Sequence, residues 1–221
     1  WFANNITYKD IADMWIHEGF GQYAEAVYLE DLFGKSSADK YLNGLKRGVG
    51  NKENIIGPYG VNQEGSGDMY PKGALFLNTL RSVIHNDAIW WDIVKGLQEK
   101  YARKNISTQD VLTFMNEKSK IDLTAIFHQY LNVASLAKLN VQMKTSESGL
   151  NLSYSWNCET KDFDMPITIF IKGEAVIIQP KAKEQKLFYA NTNIKDLVFD
   201  ETGYYYQLNL MFFLTIYGHE L

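Results

Sequence analysis

The segment DMWIHEGFGQYAE (13–25) carries two carboxylates, Glu18 and Glu25, inside a run that otherwise reads as a buried helix. They stand two helical turns apart, so both project from one stripe of the helix. On a helical wheel Ile16, Phe20, Tyr23 and Val27 form one apolar stripe, the expected core face. The opposite stripe holds Ile11, Trp15, Glu18, Gln22, Glu25 and Leu29. Apolar residues at both ends of it predict that this face is covered too. A covered carboxylate is costly unless it is paired, hydrogen-bonded or bound to a metal ion. The plainer reading is two solvated acids on a surface helix. Gly19 and Gly21 each cost about 1 kcal/mol in a helix interior relative to Ala, so another element or a ligand is expected close by. GFGQYA also fits G-x-G-x-x-A, but a dinucleotide site needs a strand before that motif, and YKDIADMWIHE reads as helix.

Apolar residues at helical spacing predict helices at about 9–33, 37–48, 68–84, 87–103, 107–118 and 122–132. Gly34 is a stop signal for the first. Asp68 is the expected cap of the third, with Pro71 in its first turn, and Ser107 caps the fifth with Asp110 three residues on. Residues 49–67 are rich in glycine and form a long loop, a type of segment that is often functional. After Ala134 the period becomes two. Leu139, Val141 and Met143 alternate with polar residues, as do Leu150, Leu152, Tyr154 and Trp156, then Ile167, Ile169 and Ile171. KGE (172–174) reads as a hairpin turn, and short strands are expected at 186–190, 196–200 and 203–209. The expectation is an α+β chain: a helical part over 1–134, a small antiparallel β-sandwich over 135–209, and 210–221 as either a tail or a last strand.

The totals narrow the classes. The 221 residues carry a net charge of −4, which gives no basic field for nucleic acid. No apolar run is long enough to cross a membrane. Cys158 is the single cysteine and cannot form an internal disulfide. The chain begins at Trp1, without an initiator Met or a signal-peptide pattern, and is expected to be a piece of a longer polypeptide. Its localisation is left unassigned.

WFANNITYKDIADMWIHEGFGQYAE (1–25) resembles the segment that follows the zinc-binding helix in family M1 zinc metallopeptidases, gluzincins of the aminopeptidase N and leukotriene A4 hydrolase group. That family's W-x-G-N-x-V-T and D-x-W-L-N-E-G-F are matched by Trp1, Asn4 and Thr7, then Asp13, Trp15, Glu18, Gly19 and Phe20. Ala3 stands where Gly is usual and His17 where Asn is common. The resemblance makes Glu18 the third zinc ligand and puts the second histidine of H-E-x-x-H two residues before Trp1. HEGFG (17–21) does not replace that motif, since its fifth residue is Gly21. DMYPKGALFLNTLR (68–81) resembles the family's Y-x-K-G-A segment, whose tyrosine stabilises the tetrahedral intermediate. That role falls on Tyr70, with Pro71 in place of the common Glu or Tyr.

What the resemblance implies is the helical C-terminal lobe of a thermolysin-like catalytic domain followed by a β-sandwich. The implied function is a zinc-dependent metallopeptidase, in particular an aminopeptidase removing N-terminal residues from a peptide substrate. One catalytic Zn²⁺ would be shared with the missing N-terminal part of the same polypeptide. The chain alone, without H-E-x-x-H, is expected to be inactive. Glu25 is a candidate to hold a ligand histidine through its free ring nitrogen. Lys72 is expected in a structural ion pair. His17 points about 100° away from Glu18 and is not counted as a ligand. His85 is expected at a helix end, where the dipole favours a cation, and His128 and His219 have no partner at metal-ligand spacing. The triplets at Asn5, Asn105 and Asn151 are read as chance N-x-S/T matches. The competing reading is a non-catalytic helical and β-sandwich module that binds a partner through the 49–67 loop.

Overall fold

A computed structural model describes residues 2–213; Trp1 and residues 214–221, with His219, lie outside the described residues. The chain forms two compact units. One comprises the residues up to Ser135 together with Thr202–Tyr205; the other comprises Leu136–Glu201 and the residues from Tyr206 on.

The first unit contains β1 (Ile6–Tyr8), α1 (Trp15–Phe33), α2 (Lys35–Leu45), α3 (Pro71–Ile84), α4 (Asp87–Lys100), β2 (Lys104–Ile106), α5 (Thr108–Ser119) and α6 (Thr124–Leu131). Local chemistry sets the ends. Asp10 accepts from the Ala12 amide at 2.9 Å and starts a 3-10 turn that feeds α1. Gly34, at φ 81°, ends α1 in a conformation that side chains resist. Asn86 caps α4, and Ser107 with Asp110 forms a reciprocal capping box on α5. β1 and β2 pair in parallel; three-residue strands carry too little periodicity to be read from sequence.

α3 is the central helix, with every residue from Lys72 to Ile84 buried except Ser82. A helix covered all round must be apolar on all sides or satisfy its polar groups internally. Against α3 lie the aromatic rings of α1 and α6. Trp15 sits 5.7 Å from Phe76 and 6.2 Å from Phe127, and Phe76 is 4.9 Å from Phe127. Trp15 and Ile16 are both fully buried, although they belong to opposite stripes of the wheel. The first half of α1 is thus covered on two sides. Its second half opens out, leaving Tyr28, Leu32 and Phe33 exposed.

The segment Thr202–Tyr205 packs into this unit. Asn78 Nδ2 donates to the Thr202 and Gly203 carbonyls at 3.1 and 3.2 Å. The Tyr205 amide donates to Thr79 Oγ1 at 3.0 Å, and the Tyr130 hydroxyl donates to the Tyr205 carbonyl. The expected strand at 203–209 is corrected accordingly. Residues 202–205 bond to side chains of α3 and α6, and the ladder begins only at Gln207.

The second unit holds β3 (Lys138–Ser146), β4 (Gly149–Asn157), β5 (Ile167–Ile171), β6 (Glu174–Ile178), β7 (Gln185–Ala190), β8 (Leu197–Phe199) and β9 (Gln207–Phe213). One sheet runs β7-β4-β3-β9 and the other β6-β5-β8. Leu139 pairs with Trp156, Val141 with Tyr154 and Met143 with Leu152, so each pair puts two apolar side chains on one face. These six residues are buried, as are Ile167 and Ile169 of the second sheet. Trp156 donates its indole N–H to the Met165 carbonyl at 3.0 Å, which satisfies its buried polar atom. One expectation changes: β9 runs parallel to β3, so the sheets are not antiparallel throughout.

Candidate active site

Glu18 stands in the first turn of α1, half-buried. Tyr70 stands at the N-terminus of α3, 40% exposed, behind a 3-10 turn (Gly67–Met69) and ahead of Pro71 at the first helical position. The two residues meet because α1 and α3 touch backbone to backbone. A Cβ built on Gly73 would lie 2.8 Å from the Gly19 Cα. One built on Gly19 would lie 3.2 Å from the Gly73 Cα and 3.3 Å from the Met69 carbonyl oxygen. The residue after Glu18 therefore abuts the residue before Tyr70. The cost of Gly19 in a helix is explained by this approach, while Gly21 faces open space.

Partial desolvation, and then the negative charges of Glu18 and Glu64, raise the Tyr70 phenol above its ordinary value. Tyr70 thus stays a hydrogen-bond donor at neutral pH. His17, the neighbour of Glu18, lays its ring against Tyr8 of β1 with centroids 4.4 Å apart. Burial lowers the His17 imidazole below its usual value, opposed by Glu18. Glu25, two turns on, is exposed; the Tyr41 hydroxyl and, at 3.0 Å, Gln22 both donate to its Oε2. Burial first, and then Glu25, push the Tyr41 phenol up to about 12.

The 49–67 loop is fastened by three carboxylates. Asp68 accepts from the Gly50 and Asn51 amides at 2.8 and 2.7 Å, Asp10 from the Gly60 amide at 2.9 Å, and Asp13 from the Tyr59 hydroxyl at 2.8 Å. Asp13 is fully buried and also accepts from the Thr108 hydroxyl at 2.5 Å. Asp68 is therefore not the cap expected for α3; Ser66 caps the turn before it, and the Asp68 carboxylate holds the loop. Among the described residues Lys72 also lacks the expected ion pair. This fully buried ammonium donates to the Val133 and Ala134 carbonyls just past the end of α6, at 3.0 and 2.9 Å. Two peptide carbonyls, each a hydrogen-bond acceptor, serve here in place of a carboxylate. These fasteners lie far apart in sequence, so no spacing rule could reveal them.

Among the described residues no three His, Cys, Asp or Glu side chains come together as a metal-holding group. A catalytic zinc takes three protein ligands and keeps one open position. Glu18 offers one oxygen donor of the right type, so the described residues do not by themselves build a zinc centre. What they do assemble is a carboxylate beside a phenol donor: one group suited to a cation, the other to an oxygen that gains negative charge.

Residues 1–130 match the family model described as the peptidase family M1 domain. Endoplasmic reticulum aminopeptidase 1 of Rattus norvegicus is 29% identical over 125 residues, covering 52% of this chain and 13% of its own length. Glutamyl aminopeptidase of Sus scrofa is 24% identical over 210 residues, covering 79% of this chain and 21% of its own. Among solved structures, Legionella pneumophila aminopeptidase A in complex with aspartic acid matches with a TM-score of 0.67 at 14% identity. That match covers 87% of this chain and 23% of the other, and it is a likeness of fold.

Proposed function

The chain belongs to peptidase family M1, and from that premise we propose that it is part of a zinc-dependent metallopeptidase that hydrolyses peptide bonds, acting as an aminopeptidase on peptide N-termini. The observation that carries this reading is the meeting of Glu18 and Tyr70 where Gly19 touches Gly73. Two residue types that the family's chemistry requires lie far apart in sequence and adjacent in space. The chain spans about a fifth or less of the length of the two aminopeptidases it resembles, so the remaining parts of the machinery are assigned to polypeptide beyond these residues. In this reading residues 1–134 are the C-terminal lobe of the catalytic domain and 135–209 a sandwich domain that follows it.

Glu18 is one of three zinc ligands, the other two being histidines outside the described residues. When bound, the metal lowers the pKa of a water molecule and polarises the scissile carbonyl. Tyr70 donates a hydrogen bond to the carbonyl oxygen as it becomes an anion. A phenol holds its proton at neutral pH and so can donate there. Glu25, oriented by Tyr41 and Gln22, receives the free ring N–H of a ligand histidine.

The test uses a polypeptide extended to include the histidine ligands, with zinc content and kcat measured in two variants. Tyr70→Phe is expected to keep zinc and lose ~10²–10³ in kcat, the scale of one oxyanion donor. Glu18→Ala is expected to lose zinc, and activity with it. Full zinc in Glu18→Ala, or full kcat in Tyr70→Phe, refutes the corresponding role.

A further inference from the structure

Two carboxylate and phenol groups on different helices act together only if the helices are held at one separation. Here that separation is set by backbone contact. The Gly73 Cα and the Gly19 Cα face each other across the α1–α3 crossing, and the Met69 carbonyl fills the rest of the contact. No side chain intervenes that could change rotamer to absorb a shift. Glu18 is the neighbour of Gly19, and Tyr70 lies one turn before Gly73 and next to Met69. The contact is therefore also the hinge point about which both functional groups are placed.

The two glycines are not equivalent. A Cβ on Gly19 meets its neighbours at 3.2 and 3.3 Å, which a slide of a few tenths of an ångström relieves. A Cβ on Gly73 meets the Gly19 Cα at 2.8 Å, about 0.6 Å inside ordinary van der Waals contact, and the obstacle is backbone. Since α3 is buried on all sides, the strain is relieved by displacing α1 or the turn that carries Tyr70. Gly21 and Gly44, with nothing within 4 Å of an added Cβ, show what an ordinary helical glycine looks like in the same unit.

We propose that Gly19 and Gly73 are positioning residues of this site: their mutual contact sets the separation between the Glu18 carboxylate and the Tyr70 hydroxyl. This inference deepens the reading of Glu18 and Tyr70 given above and, for its catalytic consequence, rests on it. A pure packing role would make a methyl group at either position lower stability and leave the Glu18–Tyr70 contact unchanged. A positioning role uncouples the two groups.

The experiment uses the 221-residue chain with 3-fluorotyrosine placed at position 70, and fluorine NMR. Glu18→Gln is expected to move the Tyr70 resonance in the parent chain and, equally, in the Gly21→Ala control. In a Gly73→Ala background that still folds by circular dichroism, the response to Glu18→Gln is expected to fall by roughly half or more, because a polar interaction weakens steeply as its geometry is disturbed. Gly19→Ala is expected to lie between, and it carries the same test if Gly73→Ala does not fold. An undiminished response in Gly73→Ala, or in Gly19→Ala where that variant decides, overturns the proposal, as does a parent chain whose Tyr70 resonance ignores Glu18. In the extended polypeptide, Gly73→Ala is expected to lower kcat by ~10–10² when measured at full zinc loading, the scale of a 1 Å misplacement. If Tyr70→Phe leaves kcat intact while the fluorine coupling behaves as described, the functional reading fails and the positioning of the two groups stands. If Tyr70→Phe lowers kcat and Gly73→Ala does not, the positioning inference fails alone.

Discussion

Lys72 lets stability be tuned by pH in a direction opposite to that of a salt bridge. Its ammonium is fully buried and held by two carbonyls without a carboxylate. Burial, opposed by the charge of Asp68, lowers its pKa from 10.5 to about 8. Below about pH 8 the lysine is protonated in both folded and unfolded chains, and the full cost of burying the charge is present. As pH rises from about 8 towards 10.5, the folded chain releases the proton while the unfolded chain still holds it. The unfolded state then binds more protons, so stability increases with pH across that window. The gain between about pH 7.5 and pH 9.5 is about 2 kcal/mol. The neutral amine still has two N–H donors for the two carbonyls, so deprotonation leaves no acceptor orphaned. Urea unfolding followed by far-ultraviolet circular dichroism gives the measurement, because the α-helices among the described residues all lie in the first unit. Lys72→Met is the reference. It strands the two carbonyls, which costs ~1–3 kcal/mol, and it has no proton to lose, so its own stability lacks the rise. Tyrosines with raised pKa values, such as Tyr23 at about 12, titrate alike in both chains and cancel. If the two stability–pH curves run parallel from about pH 7.5 to 9.5, the buried protonated lysine described here is wrong.

Two further outcomes test the packing around α3. Arg81, 9% exposed, bonds Glu30 at 2.6 Å and Asp87 at 2.7 Å, joining the ends of α1 and α3 to the start of α4; Arg81→Met is expected to cost about 2 kcal/mol, below the full value for a buried pair because Asp87 is exposed. Arg81 holds the Asp87 carboxyl below its ordinary range, so Asp87's contribution is present at neutral pH and is lost as pH falls through that lowered value; acid titration of the parent and the variant should converge there. Asn78→Ala removes the donor to the Thr202 and Gly203 carbonyls and should cost about 1–3 kcal/mol, with hydrogen-exchange protection lost first around residues 202–205; unchanged protection there would show that the segment is held by other contacts.

The sequence by itself determined most of the elements, and its motifs pointed to Glu18 and Tyr70 as the proposed reactive groups. Helices and strands were legible because apolar spacing changes period once, after Ala134, and because Gly34 and the Ser107–Asp110 box act within one turn of chain. Glu18 and Tyr70 were legible because their neighbours form recognisable motifs. What the sequence left open was what each carboxylate or cation touches. Asp68 was expected to cap a helix and instead holds Gly50 and Asn51; Lys72 was expected to meet a carboxylate and instead meets the end of α6. Trp15 and Ile16 fell on opposite stripes and are both buried, because rings from two other helices close over α1. Nor could the chain order show that Gly19 and Gly73 touch. A helix or a cap is decided by neighbours a few residues away, whose identities the sequence lists in order. A fastening between positions 13 and 59, or a glycine contact between 19 and 73, is decided by which buried faces find each other in three dimensions, and that only the folded chain settles.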